Sequence, residues 1–149
     1  MKQPTALLKA ADIEAMNATR SVHALNPNGI RLKKSVGDIA GLTQLGAHMI
    51  TLMPGHQSSE YHRHLYEEEC VYILSGRGEA VIDDQRYGIE AGDFLGFARN
   101  GPAHVITNTG NEPLVSLVVG QRLEHDVCDY PHKGVRLYIA GDNEVYTDL

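Results

Sequence analysis

The sequence predicts an all-β fold, a sandwich or barrel. Short β-type runs recur from residue 30 onward, Gly, Pro, Asn and Asp separate them, and few stretches keep a helical period over helix length. Fifteen glycines among 149 residues fit closely spaced turns better than alternating βα units. Residues 5–16, TALLKAADIEAM, form the exception, an amphipathic stretch suited to a short helix. The Asn-rich, turn-prone NATRSVHALNPNG follows, so residues 1–29 are expected to form an N-terminal arm. The strand candidates are then GIRLKKS (29–35), LGAHMITLMPG (45–55), CVYILSGRG (70–78), EAVIDDQRYGIEAGD (79–93), FLGFARNGPAHVITNTGNEP (94–113), LVSLVVGQR (114–122) and GVRLYIAGD (134–142). Within the fourth, DDQ between EAVI and RYGI predicts a tight hairpin, because Asp tolerates turn geometry between β-type flanks. Residues 30–149 make one β domain, with no repeat, low-complexity tract or linker to divide it.

Charge narrows the function classes. Thirteen Lys and Arg against 19 Asp and Glu leave a net charge of −6, and no basic cluster exceeds RLKK at 31–34, so a nucleic-acid partner is not expected. The N-terminus lacks the apolar core of a signal peptide, and no apolar run approaches the roughly 18 residues that span a bilayer. A soluble cytoplasmic protein is expected. Two cysteines, Cys70 and Cys128, are too few for a disulfide framework, and Cys70 reads as a reduced, buried thiol.

The chemistry-bearing stretch is EYHRHLYEEECVYILSG, residues 60–76. Side chains at i and i+2 of a strand share a face, so His62 and His64 approach one point while Arg63 points away. Glu69 opens the next β-rich run and offers an anionic oxygen, and His104 follows a Gly-Pro turn at the start of another. The span from Gly55 to Asn108 resembles the two paired motifs of the cupin superfamily: Gly55, His62, His64, Glu69 and Gly76 in the first (55–76), Gly92, Gly101, His104 and Asn108 in the second (92–108). Gly55 and Gly92 each lie one residue farther from the next motif position than in that pattern, and Arg99 stands where it has Pro, with Pro102 close by. The resemblance implies a double-stranded β-helix, a jelly roll whose interior holds a metal or ligand, with His62, His64, Glu69 and His104 as metal ligands. PGHQSSEYHRHLYEEECVYILSG, GDFLGF and DYP (129–131) also resemble small bacterial single-domain cupins of unsettled function, some labelled as candidate sugar-phosphate isomerases.

Glu67 and Glu68 read as solvated turn carboxylates and as fallback ligands; Glu69 is preferred because its distance to Gly76 matches the family motif. Alternation then turns Glu69, Val71 and Ile73 toward the metal, and Cys70, Tyr72 and Leu74 away. Three imidazoles and one carboxylate suit one divalent transition ion, Mn, Fe, Co, Ni, Cu or Zn, over Ca or Mg, and leave two octahedral positions open. His48, Tyr61, Phe97 and Arg99 are the candidate substrate-pocket residues, with Tyr66 and Phe94 flanking them. Arg99 reads either as a solvated turn residue or as a cation clamping a carboxylate or phosphate at the mouth. Tyr61, His48 and His56 are candidates for proton transfer, and Asn108 is expected to fix a turn. Two function classes are open: a metal-dependent enzyme, with isomerase, lyase or dioxygenase chemistry on a small oxygen-rich metabolite, and a non-catalytic binding or sensor protein. LVSLVVG (114–120), apolar on both faces, must be covered on both sides, and a homodimer is expected.

Overall fold

The computed structural model describes residues 3–149, which fold into antiparallel sheets as expected. A short helix, α1 (Ala10–Ala15), is followed by β1 (Thr19–His23) and β2 (Asn26–Lys34), and a second short helix, α2 (Val36–Ile39), leads into β3 (Leu45–Leu52). β4 (Arg63–His64), β5 (Glu69–Ser75), β6 (Arg77–Ile82), β7 (Gln85–Glu90), β8 (Phe94–Phe97) and β9 (His104–Thr107) span the motif region. β10 (Leu114–Gln121), β11 (His125–Tyr130), β12 (Val135–Ala140) and β13 (Asn143–Asp148) complete the chain. One wall is a six-stranded sheet ordered β1-β2-β3-β10-β5-β8. The other combines a sheet β7-β6-β9 with a sheet β13-β12-β11-β4, and a bridge between His62 and His104 joins these two. No helix among the described residues is long and apolar enough to cross a membrane.

Period-two alternation builds the core between the walls. Ile50 and Leu52 of β3, Val71 and Ile73 of β5, Leu95 and Phe97 of β8, Ile106 of β9 and Leu114 of β10 form one buried cluster. Each such side chain contributes about 1.5–3 kcal/mol on burial, so this cluster is what holds the walls together. Val71 and Ile73 face inward and Tyr72 and Leu74 face solvent, as the alternation predicts. The hairpin at DDQ forms with Asp83 and Asp84 alone as its loop, at φ 51° and 61°, the left-handed pair that matches strand twist. Gly76 is the single residue between β5 and β6; its φ of 85° and the Pro113 carbonyl oxygen packed where a Cβ would stand admit only glycine.

Three expectations change. The arm expected over residues 1–29 ends earlier: β1 pairs with β2 from Thr19↔Lys33 to His23↔Asn26, so the boundary at residue 29 falls inside a strand of the large sheet. Cross-strand pairing supplies the order that Asn-rich local propensity does not. The helix is also shorter than 5–16. Cys70 is only half-buried, because it lies on the outward side of β5. β10 takes the central place between β3 and β5, yet its outward residues Val115, Leu117 and Val119 are only half-buried, beside exposed Leu45, Tyr72, Leu74 and Phe94.

Candidate metal centre

The bridge between the two smaller sheets positions the first two candidate ligands. His62 and His104 exchange backbone hydrogen bonds, His62 N–H to His104 O at 3.2 Å and His104 N–H to His62 O at 2.8 Å, and their ring centroids lie 4.8 Å apart. His64, two residues on, sits on β4 opposite Cys128 of β11, with its ring centroid 5.0 Å from that of His62. Glu69 opens β5 on the facing wall, between Gly120 and Phe97, and its Oε1 lies 3.9 Å from His104 Nε2. All four line one cavity of about 340 Å³, and Phe97 stacks flat on His104.

Each imidazole is tied down from behind. His62 Nδ1 lies 2.8 Å from the Glu60 carbonyl and 3.1 Å from Ser59 Oγ, His64 Nδ1 lies 2.6 Å from Asp126 Oδ2, and His104 Nδ1 lies 3.2 Å from the Pro102 carbonyl. An Nδ1–H donated to these oxygens leaves the lone pair on Nε2, the atom left to meet a metal. His104 Nε2 is buried with no hydrogen-bond partner. A buried, unpartnered acceptor is costly, and a divalent ion is the partner its chemistry fits. Burial pushes His104 down to about 4 and His62 well below its ordinary value, so both are neutral and ready to ligate. Burial also lowers His64, but the hydrogen bond and charge of Asp126 outweigh it and its pKa rises. Burial raises Glu69, the response of a carboxylate that needs a cation.

Of the three consecutive glutamates, only Glu69 lines the cavity. Glu67 lies behind His64, its Oε2 3.8 Å from Nδ1 and its Oε1 accepting from the Leu123 N–H, while exposed Glu68 accepts from the Arg99 N–H. Glu67 and Asp126 also converge on His64 closely enough to bracket an ion, but they do so on its Nδ1 side, where the Asp126 hydrogen bond already stands. The Cys128 sulfur comes within 4.8 Å of ligating atoms of His62 and His64. Burial pushes its thiol up to about 12, which makes it a neutral packing group.

Of the expected pocket residues, His48 and Phe97 line the cavity, and Tyr61 and Arg99 do not. Tyr61 is buried elsewhere, stacked on His132 at 4.1 Å with its hydroxyl accepting the Asp84 N–H at 2.9 Å. Arg99 projects over the exposed ring of Tyr66, 5.1 Å from its centroid, because the turn at Asn100 (φ 56°) carries the loop away before the chain returns to His104. His56 is likewise outside, and Asn108 fixes a turn as expected, donating to the Leu52 and Glu112 carbonyls at 2.8 Å. Sequence reasoning missed Asp126, His23 and Tyr130, and also Arg31, Lys33 and Arg122, all but Asp126 on the cavity wall.

A small antiparallel jelly roll that gathers three histidines and a glutamate inside defines a cupin. Residues 48–120 match the cupin domain family, and the chain belongs to the cupin superfamily. A crystal structure of a candidate sugar phosphate isomerase from Acidithiobacillus ferrooxidans is 47% identical, with TM-score 0.95 over 96% of this chain and 92% of that one. A sugar phosphate isomerase of the cupin superfamily from Silicibacter pomeroyi is 25% identical, with TM-score 0.80 over 95% and 92%. An uncharacterized protein of Methanocaldococcus jannaschii is 32% identical over 80 residues, 54% of this chain and 56% of that protein, so the match spans little more than half of that curated relative.

Proposed function

We propose that the protein is a metal-dependent enzyme acting on a small, oxygen-rich metabolite, with isomerisation of a sugar phosphate the reaction best supported. The observation that carries this reading is the unpartnered, buried Nε2 of His104 facing the Glu69 carboxylate at 3.9 Å. His62, His64, Glu69 and His104 would hold one divalent transition ion, Zn, Mn, Fe, Ni or Co, and such an ion supplies Lewis acidity to substrate oxygens. The cavity, near the lower end of the roughly 300–1,000 Å³ range of ligand pockets, suits a metabolite and not a polymer. Its wall holds two further imidazoles, His23 and His48. His23 accepts the Leu25 N–H at Nδ1 and its Nε2 lies 3.5 Å from the Tyr130 hydroxyl, while His48 Nδ1 lies 3.0 Å from Ser35 Oγ, so both rings are fixed and His48 presents its other nitrogen. Burial is the largest cause lowering both, so they are neutral groups suited to moving a proton between adjacent substrate carbons. The two structural relatives named for sugar phosphates support the substrate class.

Elemental analysis of the purified protein, followed by turnover of aldose and ketose phosphates with metal removed and restored, tests the reading. About one transition ion per chain and metal-dependent interconversion are expected. Metal-loaded protein that binds such compounds without converting them would instead make it a binding protein.

A further inference from the structure

The cavity wall carries a second set of polar groups, and it is cationic. Arg31 and Lys33 stand two residues apart on β2, so both share the inward face of the sheet, and both line the cavity. Arg122, just beyond β10, lines it from the other side; its Nη2 holds Asp38 at 2.7 Å, while a Cβ built on Gly46 would stand 3.3 Å from Arg122 Nε and 3.1 Å from His48 Nε2. Arg122 and His48 therefore meet over a residue without a side chain. Among the described residues, neither Arg31 nor Lys33 has an acidic partner within 4 Å. Ser21 pairs with Arg31 across β1 and β2, and both Ser21 Oγ and Arg31 Nε are buried without a hydrogen-bond partner. An unpartnered guanidinium nitrogen and three cations thus line one cavity in a chain whose net charge is −6.

We propose that Arg31, Lys33 and Arg122, with His48 beside them, form a subsite for the phosphate of a phosphomonoester whose other oxygens reach the His62, His64, Glu69 and His104 quartet. The reach to the quartet rests on the metal-centre reading; the subsite itself rests on the cations. A carboxylate offers one negative charge and two oxygens in a plane, which a single guanidinium fork satisfies. Here three cations from two stretches of chain, β2 and the residue just beyond β10, line the same cavity, an arrangement that matches a phosphate with close to two charges and three free oxygens. Neighbouring groups feel the same field: after burial, Lys33 is the next cause lowering His48, and Arg31 the next lowering His23.

Calorimetric titration with inorganic phosphate, and with acetate as the carboxylate probe, tests this on metal-loaded wild type and on Arg31→Gln, Lys33→Gln and Arg122→Gln. Phosphate should bind wild type more tightly than acetate, and each substitution should weaken phosphate about tenfold or more, as loss of a charge-assisted hydrogen bond does, with metal content unchanged. Arg31 is the most enclosed of the three, so Arg31→Lys accompanies it and should restore part of the affinity; Lys33 and Arg122 test the subsite independently of its folding. Phosphate affinity equal to wild type in all three Gln variants, together with its loss in His104→Ala, would place phosphate on the metal and overturn the subsite while the metal centre stands. Weakened phosphate binding in the Gln variants of a protein that holds no metal would uphold the subsite and remove the metal centre. Acetate binding as tightly as phosphate, with the same losses, would overturn the assignment to phosphate.

Discussion

The two sets of polar groups on the cavity wall are built on opposite principles. At the quartet, short imidazoles stand on paired strands and every rear nitrogen is held, by the Glu60 and Pro102 carbonyls and by Asp126. In the cationic set the side chains are long, and only Arg122 among the three cations is fixed, by Asp38. A metal ion tolerates little error in donor position, so its ligands are held before it arrives; a phosphate accepts donors over a wide range of angles and can gather flexible cations around it. The family match separates the two sets as well. Residues 48–120 contain the whole quartet and none of Arg31, Lys33 or Arg122.

The contrast breaks first at the ligands. His62→Ala or His104→Ala should lower metal affinity by more than about 100-fold, beyond the range for partners that only orient a ligand, and dialysed protein measured by elemental analysis should be nearly metal-free. Full occupancy in both variants would mean the held imidazoles serve no ion.

Acid should act next, and mainly at the quartet. His104 is near 4 in the folded protein and 6.5 when unfolded, so between those values the unfolded chain binds a proton that the folded chain refuses. Its effect is absent above pH 6.5 and costs the metal-free protein stability as pH falls, up to about 3 kcal/mol near pH 4. His62 acts in the same direction; His64, raised by Asp126, acts oppositely, with its stabilisation present at low pH and lost as pH rises through its folded pKa. Urea titrations of chelator-treated protein at pH 7 and pH 4.5 should show the fall, and His104→Phe should lessen it. Equal midpoints in wild type would contradict the assignment.

Asp126→Asn sharpens the comparison. It keeps the shape but removes the charged acceptor at His64 Nδ1, so metal affinity should fall about 10–100-fold in a chelator competition, with phosphate affinity unchanged. Equal losses of both would mean the two sets are not independent. Smallest is Arg99→Ala, which removes an exposed cation from the face of Tyr66 and should cost about 0.5–1 kcal/mol in thermal unfolding, leaving metal and phosphate binding as they are.

Separation along the chain decides which features the sequence discloses. The quartet is legible because i, i+2 alternation and the motif spacing are local, and the hairpin at Asp83 and Asp84 for the same reason. Asp126 is hidden because its partner His64 lies 62 residues away and meets it only through the pairing of β4 with β11. β11 itself is hidden because it buries an aspartate on each face, Asp126 against His64 on one and Asp129 against Arg136 and Arg63 on the other, so no apolar alternation marks it. β13 is exposed throughout and has no pattern to read. An anion-binding role for Arg99 rests on nearness in sequence to His104 alone. The cations that enter the cavity arrive instead on β2, in the strand candidate GIRLKKS, whose sequence does not say which face turns inward, and just after β10.

Gly46 leaves room on the cavity wall that a single added carbon would take up. It stands on β3 at an ordinary backbone angle, so alanine would be tolerated by the chain, but the added carbon would press on both His48 and Arg122. Gly46→Ala is then expected to reshape the cavity beside His48 and Arg122 while the quartet stays in place.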